Sequence, residues 1–393
     1  DLGSAPPSNA YLTEQTLHTP EKWFPLRVLV CESCWLVQTE DFAQAEELFD
    51  EDYAYFSSFS TSWLQHAEKY VKNMTERFSL NEGSHVMEVA ANDGYLLQYF
   101  KECNIPCTGI EPTASTAAAA REKGISIVEE FFGVQLAEQL VAQGKQADLI
   151  AANNVLAHVP EINDFVSGFT ILLKPNGVAT FEFPHLLNLI NENQFDTIYH
   201  EHFSYLSLTA LETIFKESGL QIFDAEEHST HGGSLRLFTQ RADIMIHTVT
   251  ENVIKLRKKE IDSGMNDSAF YKNFQKRADI VKDNFLNFLL RAKEECKKVI
   301  AYGAAAKGNT LLNYAGVRPD LISYVVDKNP NKQGKYMPGS RIPIKGEDYL
   351  KGDKVDYVVI LPWNLKNEVI EELSYIRKGG GKIVVTVPQL EII

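Results

Sequence analysis

The stretch His85-Val-Met-Glu-Val-Ala-Ala-Asn-Asp-Gly94 decides the fold. Val86–Ala90 reads as an apolar strand, and Asn-Asp-Gly turns the chain into a helix over Tyr95–Lys101. Such a turn presents backbone N–H groups at the carboxyl edge of a sheet, where a nucleotide-like ligand can meet them. The same alternation extends outward. Gly109-Ile-Glu111 ends a second strand, and Ala114–Gly124 is an alanine-rich helix with Gly124 placed to cap it. Ala147–Ala152 and Gly177–Glu182 read as a third and a fourth strand, and Leu208–Gly219 is a helix stopped by glycine. This rhythm predicts a doubly wound α/β domain.

Residues 241–296 read as charged, amphipathic helix broken near Gly264. The α/β rhythm then restarts with strands Val299–Tyr302, Leu321–Asp327, Tyr357–Leu361 and Lys382–Val387, enough for a half-size sheet. Before the central domain, a strand-like run Leu26–Val30 leads into Cys31-Glu-Ser-Cys34. An acidic helix and turn over Asp41–Asp52 and an amphipathic helix over Trp63–Phe78 follow.

A chain of 393 residues is expected to form two or three domains. With 44% hydrophobic and 23% charged residues, disorder is not expected. The formal charge of −15 argues against a broad nucleic-acid-binding face, yet leaves room for a local positive pocket. No apolar run reaches the roughly 18 residues of a membrane span. The start, Asp1-Leu-Gly-Ser-Ala-Pro-Pro7, has no signal-peptide character and no initiator Met, so the true beginning is expected to lie upstream. The 5 cysteines suggest no disulfide framework, and a reducing cytoplasm is the expected compartment.

The first glycine turn lacks the three-glycine dinucleotide fingerprint. Glu111, at the end of the second strand, can accept hydrogen bonds from two ribose hydroxyls. An adenosine-bearing ligand without a packed pyrophosphate suits this loop. S-adenosylmethionine is therefore favoured, with NAD the competing reading.

The run Tyr199-His-Glu-His-Phe-Ser-Tyr205 concentrates acid–base groups, and His158 and His185 each follow a predicted strand. Neutral imidazole removes protons near pH 7, a carboxylate can orient it, and a phenol can hydrogen-bond a developing oxyanion. A carbon acid beside a ketone needs all three. Zinc at His200 and His202 is a rival, although His-Glu-His is not the His-Glu-x-x-His helix motif. Cys31 and Cys34 have metal-ligand spacing but make only half of a four-ligand set, so metal binding and a buried thiol pair both stand. In Gly303-Ala-Ala-Ala-Lys-Gly308, backbone donors and Lys307 could hold a diphosphate; a scaffold role and NAD binding are the alternatives.

Taken together, Tyr53-Ala-Tyr-Phe-Ser-Ser58, Glu88–Gly94, Asn153-Asn-Val-Leu-Ala-His158, Tyr199-His-Glu-His202 and Tyr302–Gly308 carry a family resemblance over essentially the whole chain. The chain closely resembles bacterial C-methyltransferases acting on nucleotide-linked keto-deoxysugars, similar to the C-3′-methyltransferase of tetronitrose biosynthesis. The resemblance implies a zinc-binding-type module over 1–52, apparently truncated. It further implies a Rossmann-like class I methyltransferase domain over 53–240, and a helical linker with a C-terminal α/β nucleotide-sugar domain over 241–393.

The resemblance implies S-adenosylmethionine beside Glu88, Ala90, Asn92 and Gly94, with Glu111 on the ribose and Asn153 closing over it; the product would be S-adenosylhomocysteine. It makes His202 the general base, oriented with help from Glu201, with Tyr199 and His158 on the ketone oxygen and Tyr53 near the methyl donor. His185, Lys307, Asn309, Asp327 and Trp363 would contact a nucleoside-diphosphate keto-deoxysugar. It also implies a structural zinc on Cys31, Cys34 and two further ligands absent from this chain. No nucleic-acid or membrane partner is expected, and a monomer suffices because the domains can supply the whole site.

Overall fold

The structure, a computed structural model, describes residues 1–40, 42 and 56–393. The expected acidic helix over 41–52 falls almost entirely outside them, as does Tyr53. Among the described residues, eighteen strands form four sheets. Strands β1 (Ser4–Ala5) and β2 (Phe24–Pro25) pair antiparallel. Next come β3 (Val28–Val30) and β4 (Val37–Thr39), an antiparallel hairpin around the two cysteines.

The central sheet uses β5 (Val86–Val89), β6 (Cys107–Ile110), β7 (Ser126–Val128), β8 (Ala147–Asn153) and β9 (Leu173–Pro184). After β10 (Ser204–Tyr205), the hairpin β11 (Leu220–His228) and β12 (Ser234–Arg241) completes it. The order is β11-β12-β9-β8-β5-β6-β7, parallel from β9 through β7, with β12 inserted antiparallel beside β9. The order reverses at β5, so the first glycine turn opens at the switch point of the sheet. β5 is buried along its whole length, which explains its unbroken apolar character apart from Glu88. The predicted helix after β6 runs Ala114–Glu122, and Gly124 adopts φ +72 just past it.

The linker is three helices, Glu251–Asp262, Ser268–Lys272 and Phe274–Glu294, broken at Gly264 as its φ of +86 allows. The C-terminal sheet is larger than the half-size sheet expected. It has β13 (Val299–Tyr302), β14 (Val325–Val326), β15 (Ile344–Lys345), β16 (Tyr357–Ile360), β17 (Lys382–Val385) and β18 (Glu391–Ile392), ordered β15-β14-β13-β16-β17-β18. β14 is the two-residue core of the expected strand Leu321–Asp327, and the two strands not expected, β15 and β18, are each two residues long, too short to show a pattern in sequence.

The N-terminal residues pack onto both larger domains. β4 pairs with β10, directly after the histidine run, and Leu12 bridges to Tyr336 in the C-terminal domain. One apolar core runs from Leu2, Leu26 and Val37 through Leu186–Ile198 to the C-terminal sheet. Two other cores cover the central sheet. Among the described residues, no helix is long and apolar enough to cross a membrane.

Candidate functional site

The first glycine loop alternates left-handed residues: Ala90 at φ +59, Asn92 at +48 and Gly94 at +74. A Cβ on Gly94 would lie 2.4 Å from Ile125 Cδ1 and 3.3 Å from Ala120 Cβ, so the helix after β6 and the residue beyond it pack closely on a position whose positive φ already favours glycine. Glu111 fastens the loop. One carboxylate oxygen accepts Asn92 N–H at 2.8 Å and the other accepts Thr113 N–H at 3.0 Å. Burial nevertheless raises its pKa, with those two donors opposing. Glu88 lies fully buried beneath the loop, and burial pushes its carboxyl well above the usual range. Asn153, at the carboxyl end of β8, donates to Tyr95 Oη at 3.5 Å, while its own Oδ1 is buried with no hydrogen-bond partner among the described residues.

A strap from the N-terminal side closes on this loop. Ser57 N–H donates to Asn92 Oδ1 and Ser58 N–H to Asp93 Oδ2. Lys123 Nζ donates to the Asp93 carbonyl at 2.6 Å and to Ser58 Oγ at 2.8 Å. The one lysine at the loop is thus engaged internally. The acceptor-rich, unphosphorylated character of this donor set fits an adenosyl group and suits a pyrophosphate poorly.

Beyond the carboxyl end of β8, the chain brings His158, Tyr199 and His202 together. The His158 and His202 rings meet edge-on at 4.6 Å, and the Tyr199 and His202 rings lie 3.9 Å apart. His202 Nδ1 contacts the Thr197 carbonyl at 2.9 Å. A carbonyl only accepts, so Nδ1 carries the proton and Nε2 of the neutral ring holds a lone pair. Tyr199 Oη lies 2.8 Å from that Nε2. His158 Nδ1 likewise donates to the Glu201 carbonyl at 2.7 Å, and burial lowers its pKa to about 4. His158 is therefore neutral at pH 7.

Two expectations need correction. Glu201 was expected to orient His202; the described contact on His202 Nδ1 is the Thr197 carbonyl instead. The Glu201 carboxylate reaches the other way and accepts Asn9 N–H at 3.1 Å and Asn9 Nδ2 at 3.2 Å, while burial raises its pKa. Only its backbone oxygen serves the cluster, through His158. His185 was expected beside these groups. It is instead 1% exposed and paired with Glu260 at 2.7 Å, and Glu260 also takes donors from Leu208 and Thr209. It ties the linker to the central domain. The rival reading of zinc at His200 and His202 gains no support, because among the described residues no group of three His, Cys, Asp or Glu could hold a metal ion.

The second glycine loop shares an architecture with the first. Asp327 accepts Ala304 N–H at 2.7 Å on one oxygen and Asn329 N–H at 2.8 Å on the other. Lys307 is half-buried, donates to Asn364 Oδ1 at 2.8 Å and lies 4.5 Å from the Trp363 ring centroid. Burial lowers its pKa to about 8, with Asp196 opposing. Lys332 donates to the Ala304 carbonyl at 2.8 Å. Asn309 is 1% exposed and donates to the Ser8 carbonyl, so it joins the N-terminal residues to this domain. Sequence reading assigned no role to Thr197, Asn9, Ser58, Lys123 or Asp196. The first three act through backbone groups or across long separations, which no local pattern marks.

Cys31 and Cys34 sit at the turn of the β3–β4 hairpin, where Trp35 N–H returns to the Cys31 carbonyl. Backbone donors from Cys34 and Ser33 lower the Cys31 pKa. Among the described residues, no third Cys, His, Asp or Glu joins them. Two thiols do not make a four-ligand zinc set. An apolar cavity of about 160 Å³ under Leu2 and Val37 and a larger cleft beside Cys34 both lie apart from the residues of the two loops.

Three family profiles match in tandem: a putative zinc binding domain at 1–49, a methyltransferase domain at 63–225 and a C-methyltransferase C-terminal domain at 229–388. The C-methyltransferase NovU of Streptomyces niveus is 32% identical over 392 residues, covering 100% of this chain and 93% of its own. Among solved structures, PH0226 from Pyrococcus horikoshii OT3 matches at a TM-score of 0.39 with 14% identity, covering 48% of this chain and 95% of that one. The magnesium protoporphyrin IX methyltransferase ChlM from Synechocystis PCC 6803 with bound SAM matches at 0.35 with 16% identity, covering 45% and 79%. Neither structure carries chemical information at that distance. The full-length match and the three profiles do: this chain belongs to the S-adenosylmethionine-dependent C-methyltransferases.

Proposed function

We propose that the protein C-methylates a nucleoside-diphosphate 4-keto-6-deoxysugar at C3. The observation that carries this reading is the Tyr199–His202 pair. Transfer to oxygen or nitrogen can use an existing lone pair, whereas transfer to carbon next to a ketone needs a base and an oxyanion donor. His202 has Nδ1 fixed by the Thr197 carbonyl, so its Nε2 is the basic atom, with a phenol 2.8 Å away.

With the sugar bound, His202 Nε2 takes the C3 proton, the electron pair of that C–H bond forms a C3=C4 double bond, and the π pair of the C4 carbonyl moves onto its oxygen, leaving negative charge there. The Tyr199 hydroxyl turns from Nε2 to that oxygen and donates to it. His158, neutral and fixed by the Glu201 carbonyl, lines the same pocket. S-adenosylmethionine supplies an electrophilic methyl group on a sulfonium. Glu88, Ala90, Asn92, Gly94, Glu111 and Asn153 would hold it, with Glu111 toward the ribose. Tyr53 would approach the methyl donor from the N-terminal side. Lys307, Asp327 and Trp363 would engage the nucleotide part, with Asn309 holding their domain in place; His185 acts as a structural tie.

Solvent-deuterium exchange tests the reading. The full chain with S-adenosylhomocysteine and a nucleotide-linked 4-keto-6-deoxyglucose should exchange the C3 hydrogen, read by NMR and mass spectrometry. Absence of exchange across several keto-sugars shown to bind would favour methylation of oxygen or nitrogen.

A further inference from the structure

Asp196 lies in the short helical turn Phe195–Thr197 and is 0% exposed. Its Oδ2 accepts the Trp363 indole N–H at 2.8 Å. Its Oδ1 is buried with no hydrogen-bond partner among the described residues. A carboxyl so placed costs free energy unless its position is needed. Burial raises its pKa to about 7, with Lys307 opposing, so the buried carboxyl and the half-buried ammonium feel each other across Trp363.

The residues around it are held on both flanks, by the turn between β11 and β12, which packs on Trp363, and by the C-terminal domain. Gln194 Nε2 donates to the Gly232 carbonyl at 2.8 Å. Gly232 packs so tightly on Trp363 that a Cβ there would lie 2.5 Å from the indole. Thr310 Oγ1, on the helix that follows the second glycine loop, donates to the Ile198 carbonyl at 2.8 Å. Between these attachments sits the Thr197 carbonyl, which fixes the tautomer of His202.

We propose that Asp196 is a positioning residue: through Trp363 it pins the turn whose Thr197 carbonyl orients His202, so the domain that carries Lys307 and Trp363 sets the geometry of the base. The inference rests on the reading of His202 as base. It adds a route by which the second glycine loop reaches the reacting atoms without touching them.

The test is histidine nitrogen NMR on the full chain without substrate, the His202 signal being identified by its loss in His202→Gln. Wild type should show the Nδ1–H tautomer. Asp196→Ala and Trp363→Phe should each give a mixture with Nε2–H, and Asp196→Asn, which still accepts the indole N–H, should resemble wild type. Methyl transfer by Asp196→Ala should fall roughly tenfold in kcat with the KM for S-adenosylmethionine unchanged, and Asp196→Asn should restore it. If Asp196→Ala does not fold, Trp363→Phe, which deletes one N–H donor, decides. A wild-type tautomer in folded Asp196→Ala or Trp363→Phe overturns the proposal, as does an Asn variant as disturbed as Ala. The NMR readout needs no turnover, so a chain that shows no carbon methylation would defeat the functional reading while the Asp196 result stands on its own.

Discussion

The two glycine loops are built alike and loaded differently. Each follows a buried parallel strand, and each is fastened by a carboxylate at the end of the next strand: Glu111 on Asn92 and Thr113, Asp327 on Ala304 and Asn329. The difference lies in their lysines. Lys123 donates to the Asp93 carbonyl and forms an ion pair with the Asp93 carboxylate at 3.4 Å, so its charge is spent inside the first loop. Lys307 donates to the neutral Asn364 amide oxygen. We propose that the shared backbone leaves the ligand class open and that the partner of the lysine decides it.

The largest effect should fall between the loops. His202→Ala should lower kcat about a thousandfold, the usual range for a general base, with affinity for S-adenosylhomocysteine nearly unchanged. Stopped-assay kinetics and calorimetry would show it. Wild-type turnover would remove His202 from the chemistry.

Next come the glycines themselves. Gly94→Ala forces a side chain into φ +74 and against Ile125, and should cost about 2–3 kcal/mol, read as a lower melting midpoint and weaker cofactor binding. Gly303→Ala, at φ +86 with Pro362 Cδ 2.5 Å from the new Cβ, should weaken binding of the nucleotide-sugar instead. Equal loss of both ligands in both variants would break the division of labour.

The carboxylates sharpen it further. Glu111→Gln should weaken cofactor binding about tenfold, consistent with loss of a charge-assisted hydrogen bond. Asp327→Asn should leave cofactor affinity alone and weaken the nucleotide-sugar. Calorimetry with each ligand separates the two.

The smallest effect is one of pH. Lys307 ionises near 8 in the fold, below its ordinary value of 10.5. An anionic ligand needs the ammonium form, so affinity should fall severalfold as pH rises from 7 to 9, and Lys307→Met should flatten that slope. Stability responds in the opposite sense. The fold binds this proton more weakly than the unfolded chain, so its contribution to stability rises from about pH 8 toward the ordinary lysine range. Affinity that is flat over this interval would exclude Lys307 from the anion site.

The elements legible in the sequence are those buried on both faces. Val86–Val89, Ala147–Asn153 and Val299–Tyr302 are short, continuous apolar strands, and each appears within a residue or two of its expected limits. The β11–β12 hairpin escaped because it mixes apolar with charged residues. Arg236, 2% exposed, is neutralised inside the fold by Glu182 and stacks on Tyr70, a pairing invisible along the chain. At the site, residue type exposed His158, Tyr199 and His202 as a group. It could not show their orientation, because the atoms that hold the two imidazoles are carbonyls of Thr197 and Glu201, and every residue has a carbonyl. His185 misled for the converse reason: its chemistry suits catalysis, but a distant Glu260 claims it.

The attachment of residues 1–40 to both larger domains has a consequence for how the chain matures during synthesis. These residues emerge from the ribosome before anything they bind. β4 must wait for β10, and Glu21 waits for Gly339, 318 residues further along. Glu201 has no Asn9 to settle on until that early segment returns. Such late, long-range closure is slow, because loop entropy is lost before contacts repay it. A nascent chain therefore can complete its methyl-donor domain while the histidine pocket is still unfinished, and acid–base competence arrives last, with the whole polypeptide in hand.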